Sequence, residues 1–373
     1  MRHKTGRRSD RVVTIRDVAR HAGVSPMTVS RVLNDVSYTR AETRAKVLAS
    51  INKLRFSPNM AARNMNERYS QSRVAYSLER CGEIRIGLLQ SDPRAVYQTE
   101  FLVGSLDQSW VSGCQLFIEK CAGPESCDAA IKKLATIGAD GVILPPPLCD
   151  SKEALKVLAE IGLPTVVVAS GRPAPTFSAV GINDFEAARA MTKALIALGH
   201  RRIGFIVGNP DQTASEERLK GFIAGMKQAG LRAGSTLVAQ GDFSYRSGLV
   251  AGERLLRGAL KPTAVFASND DMAAAVIAVA HRMRLEVPGA LSVAGFDDTP
   301  VATSTWPALT TVHQPIGDMG REAVKLLLDQ IRCRRLEEPQ QVVQKLMEFC
   351  LVLRESTARI SSMSRRRAVR AGA

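Results

Sequence analysis

The sequence predicts a small all-α helix-turn-helix unit joined to a large α/β body of two parallel-sheet lobes. Three observations predict it. A chain of 373 residues is too long for one ordinary core. Its net charge of +15 is lopsided: residues 1–80 carry 17 Lys/Arg against 6 Asp/Glu, whereas residues 81–364 carry 30 of each sign. Finally, the apolar residues follow helical spacing near the start, and from residue 84 they become short runs alternating with amphipathic stretches.

Thr14 and Asp17 have the spacing of a capping box that opens a first helix, with Ile15, Val18, Ala19 and Ala22 on its inward face. Gly23 ends that helix in a tight turn. Ser25 can cap a second helix, with Pro26 at its first position, where the missing N–H costs nothing. Val29, Val32 and Leu33 form the inward stripe of this helix. A second capping box, Thr39 and Glu42, opens a third, with Val47, Leu48, Ile51 and Leu54 inward. Two helices joined by a glycine turn and braced by a third form a helix-turn-helix unit.

With that stripe buried, Met27, Thr28, Ser30, Arg31 and Asn34 stand on or near the outer face of the second helix. They combine hydrogen-bonding groups, a guanidinium able to grip guanine and a thioether able to touch a thymine methyl. A basic segment on a neutral body suits a polyanion, because each phosphate contact releases counterions. An anionic membrane surface is a poorer match, since the basic end lacks a long apolar face. No stretch is long and apolar enough to span a membrane, and no apolar segment of signal-peptide type follows MRHKTGRRSDR, so a cytoplasmic protein is expected. The seven cysteines (Cys81, Cys114, Cys121, Cys127, Cys149, Cys333, Cys350) lack CxxC spacing and are expected as reduced thiols.

In the body, residues 84–89, 114–119, 141–146, 164–169, 202–207, 263–268 and 291–296 are apolar runs of buried parallel strands. Helical stretches such as CDAAIKKLATIG and FEAARAMTKALIALG lie between them. Repeated β-α-β order implies parallel sheets with ligands at the carboxyl ends of the strands. Such a fold also hosts enzymes. GxSxG, Walker, GxGxxG and HExxH motifs are all missing, the five histidines are scattered, and no metal site or cofactor is expected.

VTIRDVARHAGVSPMTVSRVLND, followed by ETRAKVLASINKLRFSPNMAARNM, resembles the lactose-repressor (LacI/GalR) family of bacterial transcription regulators. The resemblance continues in ALGHRRIGFIVG, ERLKGFIAGM, FASNDDMAAAVIAVAHRM and VAGFDDTPVATSTWPALTTVHQP. It implies a helix-turn-helix domain over residues 12–58, a hinge helix over 59–66 and an effector-binding domain like periplasmic sugar-binding proteins over 84–358. The first lobe of that domain is expected at 84–182 and 312–342, the second at 183–311 and 343–358. Residues 67–83 are an extended linker longer than the family's usual one, and 359–373 a disordered basic tail.

The resemblance also assigns roles. Thr14, Ser25 and Asn34 fall at phosphate or backbone contacts, and Pro26, Met27 and Arg31 where the family reads bases. Asn59, Ala62 and Met65 belong to the hinge, with Met65 at the position of the leucine wedge driven into the minor groove and small Ala62 letting two hinge helices approach. Arg218 aligns with the effector-binding arginine, Asn269 and Asp297 with strand ends facing the cleft, Gln314 with a crossover, and Phe243 with the ring that stacks on a sugar. Tyr97, in a loop that departs from the family, is a further aromatic contact.

Each assignment has a plainer alternative: Asp297 as a turn cap, Arg218 as a surface ion pair, Phe243 as core packing. The implied protein is a homodimer on an inverted-repeat operator. A small-molecule effector, most simply a carbohydrate, controls operator affinity, with a nucleoside or purine as the alternative. A sugar-binding protein without a DNA role would not need residues 1–65.

Overall fold

The computed structural model describes residues 15–25, 28–29, 32, 41–53, 84–91, 95–121, 124–232 and 234–360. They fall into two compact units that divide at residues 80/81.

The N-terminal unit has helices α1 (Ile15–Ala22) and α2 (Ala41–Lys53), with Thr28, Val29 and Val32 helical between them. Its core joins Val18 and Ala19 of α1 to Val29, Val32 and Val47. Gly23 takes the left-handed φ of +66° that the turn requires. The Ser25 hydroxyl accepts the Thr28 N–H at 3.1 Å, the expected cap. Leu48 is a correction: it is 46% exposed rather than inward. The inward face of α2 runs from Val47 to Ser50, whose buried hydroxyl donates to the Lys46 carbonyl and bonds the His21 ring at 3.0 Å. Thr14, Pro26, Met27, Ser30, Arg31, Asn34, the hinge residues Asn59, Ala62 and Met65, and the linker 67–83 lie outside the described residues.

The C-terminal unit contains two six-stranded sheets. The first comprises β1 (Arg85–Gln90), β2 (Gln115–Lys120), β3 (Gly141–Leu144), β4 (Thr165–Val168), β5 (Ser178–Gly181) and, from much later in the chain, β11 (Gln344–Leu346). The second comprises β6 (Ile203–Val207), β7 (Val238–Gln240), β8 (Ala264–Ala267), β9 (Ser292–Asp297), β10 (Thr310–His313) and β12 (Cys350–Val352). Every pairing is parallel except β10 with β12. All seven predicted strands are present. The central ones are buried at every position because helices cover both faces.

The chain crosses between lobes three times. β10 belongs to the second sheet and β11 to the first, so the later crossings follow His313 and Leu346 rather than falling at 312 and 343. Helices α3 (Val96–Ser112) and α10 (Ile316–Arg335) pack together on the first sheet. α6 (Asp184–Ala197) packs with α7 (Thr213–Gln228), and α8 (Tyr245–Arg257) with α9 (Asp270–Arg282), on opposite faces of the second. One apolar core continues from Phe101, Ile143 and Val166 of the first lobe to Phe205, Phe222 and Phe266 of the second.

The cysteine expectation fails for one pair. Cys121, just after β2, and Cys127, in the helix α4 (Pro124–Thr136), are joined as a disulfide because the short connection brings their Cα atoms to 4.7 Å. Cys114, Cys149, Cys333 and Cys350 are free thiols.

Candidate functional site

The carboxyl ends of both sheets face one another across a cleft. A cavity of about 160 Å³ lies there, with Tyr97, Arg218, Phe243, Asn269 and Asp297 all in its wall. Five of the six predicted effector residues are thereby brought together. The sixth, Gln314, lies on the second crossing and donates to Asp297 Oδ1 at 2.5 Å.

Arg218 is buried, which excludes the surface ion pair. Its Nε donates to Asp184 Oδ1 at 2.7 Å, and one terminal nitrogen donates to the Ser268 carbonyl at 2.6 Å and lies 3.7 Å from Asp297 Oδ1. The guanidinium also sits 3.7 Å from the centroid of the Phe296 ring. Burial works against its charge, but Asp184 and Asp297 outweigh that and raise its pKa. Burial raises Asp184 above the usual carboxylate range against the pull of Arg218. It raises Asp297 further still, with Arg218 opposing and Asp270 adding repulsion.

Asp297 is not a turn cap. Asp270 does that work, accepting the Thr299 N–H at 2.8 Å and the Thr311 hydroxyl at 2.6 Å. Asp297 (φ 113°) and Asp298 (φ 60°) both occupy backbone regions unusual for a side-chain-bearing residue, a strain held in place by these bonds.

Phe243 lines the cavity at the edge of the second lobe's core and is only half-buried, so it is not plain packing. Its φ is +72°. Two contacts hold that conformation. Asn269 donates to the Phe243 carbonyl at 2.8 Å, and the ring rests so closely on Gly208 that a Cβ there would fall 2.1 Å from it. Asn269 also accepts the Met272 N–H as the cap of α9. Both ends of its amide are thus spent on the protein, and it positions the ring.

Several buried polar atoms around the cleft have no hydrogen-bond partner: the Tyr97 hydroxyl, Gln98 Oε1, Gln314 Oε1 and both ends of the Gln90 amide. Buried polar groups are ordinarily paired, so these atoms point to a polar ligand. Burial also raises the Tyr97 pKa well above its ordinary value, keeping the phenol protonated.

Sequence reading missed Gln98 and Asp271 in this wall and Asp184 bonded to Arg218, as well as a latch between the lobes. Asp150, before α5 (Lys152–Ile161), accepts the Thr213 N–H at 2.8 Å and the Ser170 hydroxyl at 2.6 Å. Its other bond, from the Thr213 hydroxyl at 2.9 Å, completes a carboxylate of the first lobe seated on the first turn of α7 in the second. Arg172 pairs with Glu216 alongside. Gly171 is pressed against the same turn, where a Cβ would lie 2.8 Å from the Ala214 backbone. Asp150 and Thr213 are 63 residues apart, and no local pattern announces their meeting.

Among the described residues no helix is long and apolar enough to cross a membrane, and no cluster could hold a metal ion.

Comparison with known proteins fits this architecture. Residues 14–59 match the model for bacterial regulatory proteins of the lacI family, and residues 192–357 match that for the periplasmic binding protein-like domain. The HTH-type transcriptional repressor PurR of Escherichia coli O1:K1 is 33% identical over 338 residues, covering 89% of this chain and 94% of its own. The CelR–cellobiose complex, a transcriptional regulator, is 31% identical with a TM-score of 0.68, covering 92% of this chain and 99% of its own. The lac repressor dimer bound to operator and the anti-inducer ONPF is 27% identical with a TM-score of 0.67, covering 93% and 100%. The chain belongs to the lacI family of bacterial regulatory proteins, and it is a DNA-binding transcriptional repressor rather than an enzyme.

Proposed function

We propose that a neutral sugar, held between the two lobes, sets the affinity of this repressor for an inverted-repeat operator. The observation that carries the reading is the set of unspent groups in the cleft. Gln98 Oε1 is an unpaired acceptor in the wall and the Tyr97 hydroxyl, also unpaired, can act both ways, so a ligand rich in O–H or N–H donors suits it. Arg218 is already matched by two aspartates, which leaves no surplus cation for a phosphate or carboxylate. The Phe243 and Tyr97 rings, with Pro146, Pro147 and Ala214, offer apolar faces for the C–H surface of a sugar ring. The cellobiose-bound relative is consistent with this choice.

The ligand acts by unequal affinity for the two lobe arrangements, which shifts the population that grips DNA. The repressor works as a homodimer. Val103, Leu106 and Trp110 form an exposed apolar stripe on α3, with Trp110 89% exposed, a surface that a single chain leaves in water. A relative also binds its operator as a dimer.

The test is operator titration by the full chain in the presence of neutral sugars, sugar phosphates and purine nucleosides. A shift in operator affinity confined to neutral sugars supports the reading. A response to a nucleoside or a sugar phosphate refutes it.

A further inference from the structure

A DNA-binding repressor works where small thiols and thioredoxin-type reductants keep cysteines reduced, and the disulfides that form there are mostly transient or sensing. Cys121 and Cys127 are joined across a sequence separation of only 6 residues, so their bond restrains a short loop and adds little to the stability of the lobe. We infer that Cys121–Cys127 is a thiol-redox site whose state sets the strength of the latch between the lobes, and through it the hold on operator DNA. This inference is independent of the sugar reading above.

Access is the first argument. Cys121 is fully covered and Cys127 is 2% exposed, yet both line a cavity of about 540 Å³ in the cleft, in a wall that also holds Asp150. The bond is therefore reached by a small thiol that enters the cleft, and not by a protein reductant at the outer surface. A thiolate of glutathione type attacks one sulfur, the other leaves as a thiolate and takes up a proton, and a second small thiol resolves the mixed disulfide. Two protein thiols form while two small thiols become one disulfide, and exchange with that disulfide in reverse restores the bond. Coupling is the second argument. The Cys121 N–H donates to the Gln90 carbonyl at 2.8 Å, which fixes Cys121 to the end of β1. Cys127 stands in the first turn of α4 and shares a core with Leu148 and Cys149, of the turn that carries Asp150, and with Ala154 and Leu158 of α5. A disulfide holds its sulfurs about 2 Å apart, well inside the contact distance of two thiols, so reduction must part them. With Cys121 held by β1, α4 is the side that yields, and it shifts against the turn whose Asp150 accepts the Thr213 N–H.

The experiment equilibrates the full chain in mixtures of reduced and oxidised glutathione, with the state of Cys121 and Cys127 read by alkylation and mass spectrometry. Hydrogen exchange at the Thr213 amide reports the latch, and the buried strand β6 serves as internal reference. The expected result is Thr213 exchange roughly fivefold faster in the reduced form, unchanged exchange in β6, and a difference of roughly fivefold in operator affinity between the two forms. Cys121→Ser/Cys127→Ser should exchange at the reduced rate in every mixture. Its exchange in β6 shows whether it is folded, and the comparison of the two parent forms stands without it. Thr213 exchange or operator affinity that is the same in both forms overturns the inference, as does a chain in which both cysteines alkylate fully in every mixture.

Discussion

Replacing Arg218 with alanine tests the centre of the site. The guanidinium lies between Asp184, 4% exposed, and Asp297, 7% exposed, and its removal leaves two buried carboxyls facing one another without the cation. Breaking a buried ion pair from one side costs about 3–5 kcal/mol. For a domain of this size each kcal/mol moves Tm by roughly 2–4 °C, so the variant should melt roughly 6–20 °C below the parent. Adding Asp184→Asn removes one stranded charge and should return about 0.5–3 kcal/mol of the loss. Both variants should bind operator in the absence of effector, because the helix-turn-helix unit has its own core, and both should lose the effector response. Scanning calorimetry and operator titration with and without ligand read the two effects separately. A double variant that melts no higher than the single one would show that charge is not what Arg218 balances. A retained response at normal ligand concentration would remove Arg218 from the effector site.

Three further outcomes are expected. Arg31→Ala should cost roughly 1–3 kcal/mol at its cognate base pair and relax specificity there, and equal losses on operator and random DNA in competition titrations would count against base reading. Burial raises Asp270 from 3.8 to about 7 despite the Thr311 and Thr299 bonds. A raised folded-state carboxyl contributes stability that is fully present below the ordinary pKa and lost as pH rises through the folded one. The melting temperature of Asp270→Asn should therefore gain on the parent between about pH 4 and pH 8, and parallel profiles would exclude the effect. Gly171→Ala places a Cβ 2.8 Å from the backbone of α7, which no side-chain rotation can relieve, so the lobes should separate. Small-angle scattering should show a larger radius of gyration and calorimetry a weaker effector; an unchanged radius would mean that the turn yields instead.

The legible parts of the molecule were those written in local period. The seven strands read from sequence are apolar runs, buried almost throughout in all but the edge strand β2. The strands that were missed carry no such run: β5 is Ser-Ala-Val-Gly, and β11 is exposed at all three residues. Leu48 was misplaced for a related reason. Hydrophobicity alone favours it over Ser50, but Ser50 has partners on two sides, so a polar residue fills the inward position. In the cleft, the family resemblance picked out Arg218, Phe243, Asn269 and Asp297, and Tyr97 was read from a loop that departs from it; all five share one wall, yet the work done by Asn269 became visible only with coordinates. The pairs Asp150–Thr213 and Asp184–Arg218 join residues distant in sequence across packed elements, and spacing along the chain carries no trace of such meetings.

The location of the charged network has a mechanical consequence. Asp184 opens α6 immediately after the chain first leaves one lobe for the other, and Gln314 sits on the return passage, bonded to Asp297. Side chains bonded to Arg218 and Asp297 of the cavity wall are therefore built into the crossings between the lobes. On the proposed reading, a molecule that settles on Asp297 loads those crossings at once, and no relay of intermediate side chains is needed to convert occupancy into movement.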